Sequence, residues 1–192
     1  MLTAHVTASV GWLGALAVFL AHALASLLSR DEQTVRGLSL AMGMAAWFVI
    51  LPLSLASLTT GLAQALGTAW GLFRHYWIFF KLLLTAVATI VLLLKLQPIS
   101  YLADAAVEAT FSSTDLIGLR TSLMVHAAGG LLVLLAAAAL AVYKPVGMTR
   151  WGSGSVARAP RWVKVFGAVL VVLILLVGIM MFVGGHGPGA HL

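Results

Sequence analysis

Residues Leu2–Leu28, LTAHVTASVGWLGALAVFLAHALASLL, run for 27 positions without one Asp, Glu, Lys or Arg. About 20 apolar residues, rising about 1.5 Å each, cross the hydrocarbon of a bilayer. The stretch therefore predicts a transmembrane helix. Four further stretches have the same character: Leu38–Leu66, Tyr76–Leu96, about Leu119–Val142, and Trp162–Val183. The chain of 192 residues is 62% hydrophobic and only 8% charged, where a soluble domain carries roughly a quarter charged residues. So few charges cannot cover a water-facing surface, and lipid is the outer solvent. The expected fold is all-α, a polytopic transmembrane helix bundle. It has a four-helix core over residues 1–145, a basic flexible loop at 146–161, and a fifth C-terminal span with a short His-containing tail at 162–192. The first run lacks a basic leader and is too long for a signal-peptide core, so it reads as a retained span.

The connections carry their own signals. Pro52 lies inside the second run and predicts a kink, because proline removes a backbone donor. Gln97-Pro98 predicts the end of the third run. In the segment 97–118, Tyr101, Leu102, Ala105 and Ala109 share one helical face and suggest a short interfacial helix. Ser112 followed by Asp115 resembles a capping box that would start the fourth helix early. Trp70, Phe73, Tyr76 and Trp77 suit the headgroup level. Counting spans from the N-terminus, Arg74, Lys81, Lys144, Arg150, Arg158, Arg161 and Lys164 fall on the N-terminal side. Arg30, Arg36, Lys95 and Arg120 fall on the other. This bias predicts a cell-membrane, multi-pass protein with its N-terminus in the cytoplasm. The formal net charge of +6 lies between apolar runs rather than on a soluble basic face, which argues against nucleic acid as a partner.

Absences narrow the chemistry. No cysteine is present, which removes disulfides, iron–sulfur clusters, thiolate haem ligation and cysteine zinc sites. The five acidic residues, Asp31, Glu32, Asp104, Glu108 and Asp115, all lie outside the spans. Cation-coupled transport and proton pumping usually place carboxylates at membrane depth. Histidine is what remains there. Of six, His5 and His75 begin the first and third helices on the N-terminal side, while His22 and His126 lie near the opposite side. Two pairs of imidazoles at matched depths are what six-coordinate haem b requires. His5, His75, His22 and His126 are thus candidate iron ligands, for one or two haems. Arg74 and Lys81 on one side, and Lys95 and Arg120 on the other, are candidate partners for haem propionates. Each of these four also has an ordinary reading as a snorkelling or topology residue. Trp12 and Phe19 share a face with His5 and suit either a haem pocket or plain core packing. His5 and His22 point about 100° apart around their helix, so one stripe would not present both. The tail pair His186 and His191 suggests a copper site.

The segment His5-Val-Thr-Ala-Ser-Val-Gly-Trp-Leu-Gly resembles the opening helix of the HemJ-type protoporphyrinogen oxidases and the CopD-type copper-resistance membrane domains. Leu51-Pro52 through Thr60-Gly61-Leu62 is similar to their second helix, and Trp77-Ile-Phe-Phe-Lys81-Leu to their third. Leu131–Val142 with Tyr143-Lys144-Pro145 is similar to their fourth helix and its exit. The whole chain also resembles an actinobacterial family of predicted integral membrane proteins that carries no assigned activity. The superfamily resemblance covers about residues 3–145. It implies a four-helix core binding haem b, with His5 as a ligand and Lys81 at the position of a lysine that matters for function. Two features depart from the HemJ pattern. Leu92-Leu93-Leu94-Lys95 stands where a Tyr-His pair is expected. The histidine of a Trp-Leu-His-x-Lys segment is missing, with His75 lying somewhat earlier. These departures bear on porphyrinogen oxidation more than on haem binding.

The expectation is a membrane-embedded b-type haem protein for electron transfer or haem handling. The alternatives are an oxidoreductase, namely a haem-dependent porphyrinogen oxidase, and a copper-handling membrane protein without haem. The expected partners are the lipid bilayer, a redox partner and, as an option, a second copy of the chain in a homodimer.

Overall fold

The computed structural model describes residues 1–67, 75–108, 112, 114, 116–144, 149, 161, 163–165, 167, 168, 171, 172 and 175. Five α-helices are assigned: α1 (Leu2–Leu28), α2 (Glu32–Ala45), α3 (Leu51–Gly67), α4 (Tyr76–Ala105) and α5 (Ile117–Tyr143). A single π-helical turn, Ala46–Ile50, joins α2 to α3, so Glu32–Gly67 is one continuous rod of 36 residues. Among the described residues four rods are long and apolar enough to cross a membrane: α1, the α2–α3 rod, α4 and α5. The protein is an all-α membrane-helix bundle. The fifth run lies mostly outside the described residues. Its described positions between Arg161 and Leu175 are helical, and Val163 packs against Phe80, Leu84 and Leu140.

Boundaries differ from the sequence expectation in instructive ways. The second span begins at Glu32 rather than Leu38. Asp31 caps it by accepting a 2.8 Å hydrogen bond from the Thr34 N–H, which satisfies one of the amides that every helix start leaves free. Pro52 produces a widened turn just before itself. A proline there cannot donate to the carbonyl four residues back and its ring crowds it, and the π-turn opens the helix at that place. Pro98, by contrast, does not stop α4, which runs on to Ala105. The interfacial helix expected over 97–118 is therefore, through Ala105, the end of α4, and Ala109 lies outside the described residues. At 30 residues, α4 is about 45 Å long and outreaches a hydrocarbon core of about 30 Å. Its last turns bury Ile99 and Leu102 in the central cluster. Each such side chain removed from water is worth about 1.5–3 kcal/mol, enough to outweigh the roughly 3 kcal/mol that an internal proline costs. α5 begins at Ile117; Asp115 of the expected Ser112/Asp115 box lies outside the described residues.

One core joins all four rods: Trp12 and Phe19 from α1, Met42 and Ala46 from the second rod, Ile99 from α4 and Leu123 from α5. Lipid is as apolar as leucine, so close packing and internal polar contacts hold such a bundle. Small residues serve this here. A Cβ at Gly43 would come within 2.7 Å of the Ala103 Cβ, and one at Gly130 within 3.3 Å of Leu16. The buried hydroxyls turn back on their own helices. Ser39 donates to the Val35 carbonyl at 2.8 Å, Thr85 to Lys81 at 2.8 Å and Thr89 to Thr85 at 2.9 Å. These hydroxyls are thus satisfied within their own helices.

Candidate functional site

Two polar clusters interrupt the apolar bundle, one toward each end. The first surrounds His5, which is 6% exposed. Its Nδ1 lies 3.1 Å from the Ser57 carbonyl oxygen and 3.1 Å from Thr60 Oγ1. Its Nε2 lies 3.0 Å from Lys81 Nζ. Ser9 and Ser57 pair their hydroxyls at 2.8 Å one turn deeper. The local reason is a helix face. Ser54, Ser57 and Thr60 recur every three residues along α3, and Gly61 beside them leaves room for the ring. A Cβ at Gly61 would sit 3.0 Å from His5 Cε1.

The second cluster lies toward the other end and draws on α1, α4 and α5. The His126 Nδ1 donates to the Ser122 carbonyl at 2.7 Å, while its Nε2 is buried with no hydrogen-bond partner. The His22 Nδ1 is likewise buried with no partner. Arg120, only 4% exposed, donates from Nε to Ser26 Oγ at 2.9 Å. Lys95 is half-buried and close enough to act electrostatically on the His126 ring.

The register of α1 against α5 sets the depth of these groups. The helices are antiparallel, and two contacts fix the offset: Ser26 with Arg120 and Leu16 with Gly130. Both pairs place His22 level with position 124. His126 is two residues away, about 3 Å along the axis. Two orphaned imidazole nitrogens thus occupy one level of the bundle. Buried polar groups almost always have partners, so such orphans mark a place where a further group would be satisfied.

The predicted residues divide as follows. Arg120 bonds Ser26, one turn from His22, and Lys95 acts on the His126 ring, so these four lie toward the same end of the bundle. His5 and Lys81 come together in the first cluster, as partners of one another. His75 precedes α4 in extended conformation and its carbonyl accepts from the Phe79 N–H at 3.4 Å. The ring nitrogens of His5 are engaged by α3 and Lys81 rather than held for an iron shared with His75. Trp12 and Phe19 are buried in the central core. Arg74, His186 and His191 lie outside the described residues. Ser57, Thr60, Ser26 and the Ser122 carbonyl were not singled out from the sequence. The three-residue spacing of hydroxyls on α3 was a usable signal for the first two. Nothing local marked the others.

Among the described residues no group of three or more His, Cys, Asp or Glu is arranged to hold a metal ion. Axial haem ligation needs only two imidazoles, so that requirement is a different one. The class defined by fold and site is a polytopic α-helical membrane protein with histidine-centred polar clusters toward both ends. Comparison with protein-family models, with curated proteins and with solved structures finds no match for this chain.

Proposed function

We propose that the protein is a membrane-embedded b-type haem protein serving electron transfer or haem handling, with His22 and His126 as axial ligands. The observation that carries this reading is the pair of buried, partnerless imidazole nitrogens at one depth on two adjacent helices. The donor chemistry fits. An imidazole whose Nδ1–H is fixed by a backbone carbonyl keeps its Nε2 lone pair aimed away from that bond, which is the posture of His126 on Ser122. Arg120 and Lys95 supply positive charge at the same end of the bundle, suited to carboxylates near the membrane surface. When bound, haem supplies a one-electron couple between ferric and ferrous iron. The chain contributes orientation of the two rings and exclusion of water by the surrounding apolar helices. Membership of the HemJ/CopD-like superfamily belongs to the same proposal, with the ligand pair shifted from His5 to His22 and His126.

The test is the absorption spectrum of protein purified from haem-replete cells. A Soret band that moves and sharpens on dithionite reduction is expected; its absence would sink the reading. A cytoplasmic N-terminus is proposed alongside, on the excess of Lys and Arg on that side. The chain has no cysteine, so single cysteines report cleanly. Ser29→Cys should react with an impermeant maleimide added to intact cells and Ser153→Cys should not. The reverse pattern overturns the orientation.

A further inference from the structure

The cluster around His5 sets two basic side chains, His5 and Lys81, against each other. The Ser57 carbonyl can only accept, so the His5 Nδ1 carries the ring hydrogen that reaches it at 3.1 Å. The Thr60 hydroxyl donates to the Ala56 carbonyl, leaving its oxygen to share the same hydrogen at 3.1 Å. Nε2 is then a lone pair, and it faces Lys81 Nζ at 3.0 Å. A ring protonated on both nitrogens would set two cations face to face at that distance. Lys81 thus donates to the Nε2 lone pair of a singly protonated imidazole. The lysine is drawn inward to a buried ring, not extended to the headgroups as a snorkelling lysine is.

An ammonium has three hydrogens to donate, and His5 takes one. Among the described residues the His5 ring is the one hydrogen-bond partner of Lys81. No carboxylate is available by chain order either. Asp31 and Glu32 follow α1, Asp104 lies in the last turn of α4, and Glu108 and Asp115 lie between α4 and α5, so by chain order all five acids fall at the end of the bundle opposite Lys81. The Lys81 face carries seven of the eleven Lys and Arg residues and no acid. A cation at membrane depth is normally paired. No such partner stands among the described residues, and an anion that reaches the site within the bilayer would supply one.

We propose that Lys81, held by His5, binds the anionic head of a membrane-borne amphiphile, a carboxylate or phosphate whose apolar tail stays in the lipid. His5 acts as the positioning residue. Ser57 and Thr60 fix its ring, and Gly61 gives the ring its space, so the remaining Lys81 donors are aimed rather than free to swing. The site is separate from the His22/His126 level and does not depend on haem.

The experiment uses the full chain in zwitterionic phospholipid nanodiscs, with a fluorescent polyene fatty acid and its methyl ester as probes. Energy transfer from tryptophan reads binding. The acid should bind about tenfold more tightly than the ester, the worth of one charge-assisted hydrogen bond. Lys81→Met should abolish that preference and Lys81→Arg should keep part of it. Equal affinity of acid and ester in the unaltered protein overturns the proposal without any variant, as does a preference that survives Lys81→Met. Adding phosphatidic acid distinguishes the sources. Displacement of the bound fatty acid assigns a phospholipid phosphate as occupant, and persistence of the bound acid assigns a free carboxylate. The haem spectrum, recorded on the same samples, reports the other cluster, so failure of one reading leaves the other standing.

Discussion

The two ends of the bundle treat histidine in opposite ways. At the His5 end both ring nitrogens are occupied, and what lacks a partner is charge. At the His22/His126 end the cation Arg120 is seated on Ser26, and what lack partners are neutral nitrogens. The residue types are nearly the same: imidazole, a basic side chain, and hydroxyls on neighbouring helices. What differs is which group each cation reaches. Lys81 reaches an imidazole and fills it, whereas Arg120 reaches a serine and leaves the imidazoles open. In the roles proposed above, one end takes an anion and the other a Lewis acid such as iron.

The largest expected effect tests that division directly. His126→Ala and His22→Ala should each abolish the bound haem, seen as loss of the Soret band from folded protein. His5→Ala should keep the full haem stoichiometry. Haem lost in His5→Ala and kept in His126→Ala would reverse the assignment of the two ends.

A middle-sized effect is expected at the seat of the arginine. Ser26→Ala removes the acceptor of the Arg120 Nε hydrogen in a buried site. Leaving a buried donor unmatched costs about 1–3 kcal/mol, which a detergent-unfolding titration should resolve. No change in the unfolding midpoint would mean that Ser26 is not what holds Arg120 away from the histidines.

The smallest effect concerns the cap beneath the His22 end. Hydrogen bonds from the Thr34 hydroxyl and N–H hold the Asp31 carboxyl below its ordinary value of 3.8. A depressed folded-state value contributes stability above pH 3.8, and that contribution is lost as pH falls through the lower folded value. The difference in unfolding midpoint between the unaltered protein and Asp31→Ala should therefore be constant through neutral pH and shrink only below about pH 4. A difference that changes between pH 6 and 8 would point to another titrating group.

Much of the fold was legible because lipid imposes a simple rule: long apolar runs, with charges between them. The same rule sorted the histidines by face, and by helix register it places His22, His126, Lys95 and Arg120 toward one end of the bundle. The pairing of His5 with Lys81 was not legible. Lys81 lies six residues into α4 beyond His75, and its long side chain erases the depth difference that helix counting assigns. Pro98 misled for a related reason. A proline stops a helix only when nothing beyond it is worth keeping, and Ile99 and Leu102 are buried in the core.

The sequence by itself determined that the chain is a bundle of long apolar helices with its charges and histidines gathered toward their ends, and that it has no cysteine. These follow from composition and period, which need no knowledge of neighbours. Tertiary structure alone decided which nitrogens are filled and which are open. That depends on the register of α1 against α5 and on the Ser-Thr face that α3 turns toward His5. It made Lys81 the partner of His5, and it left His22 and His126 at one level with nitrogens to offer.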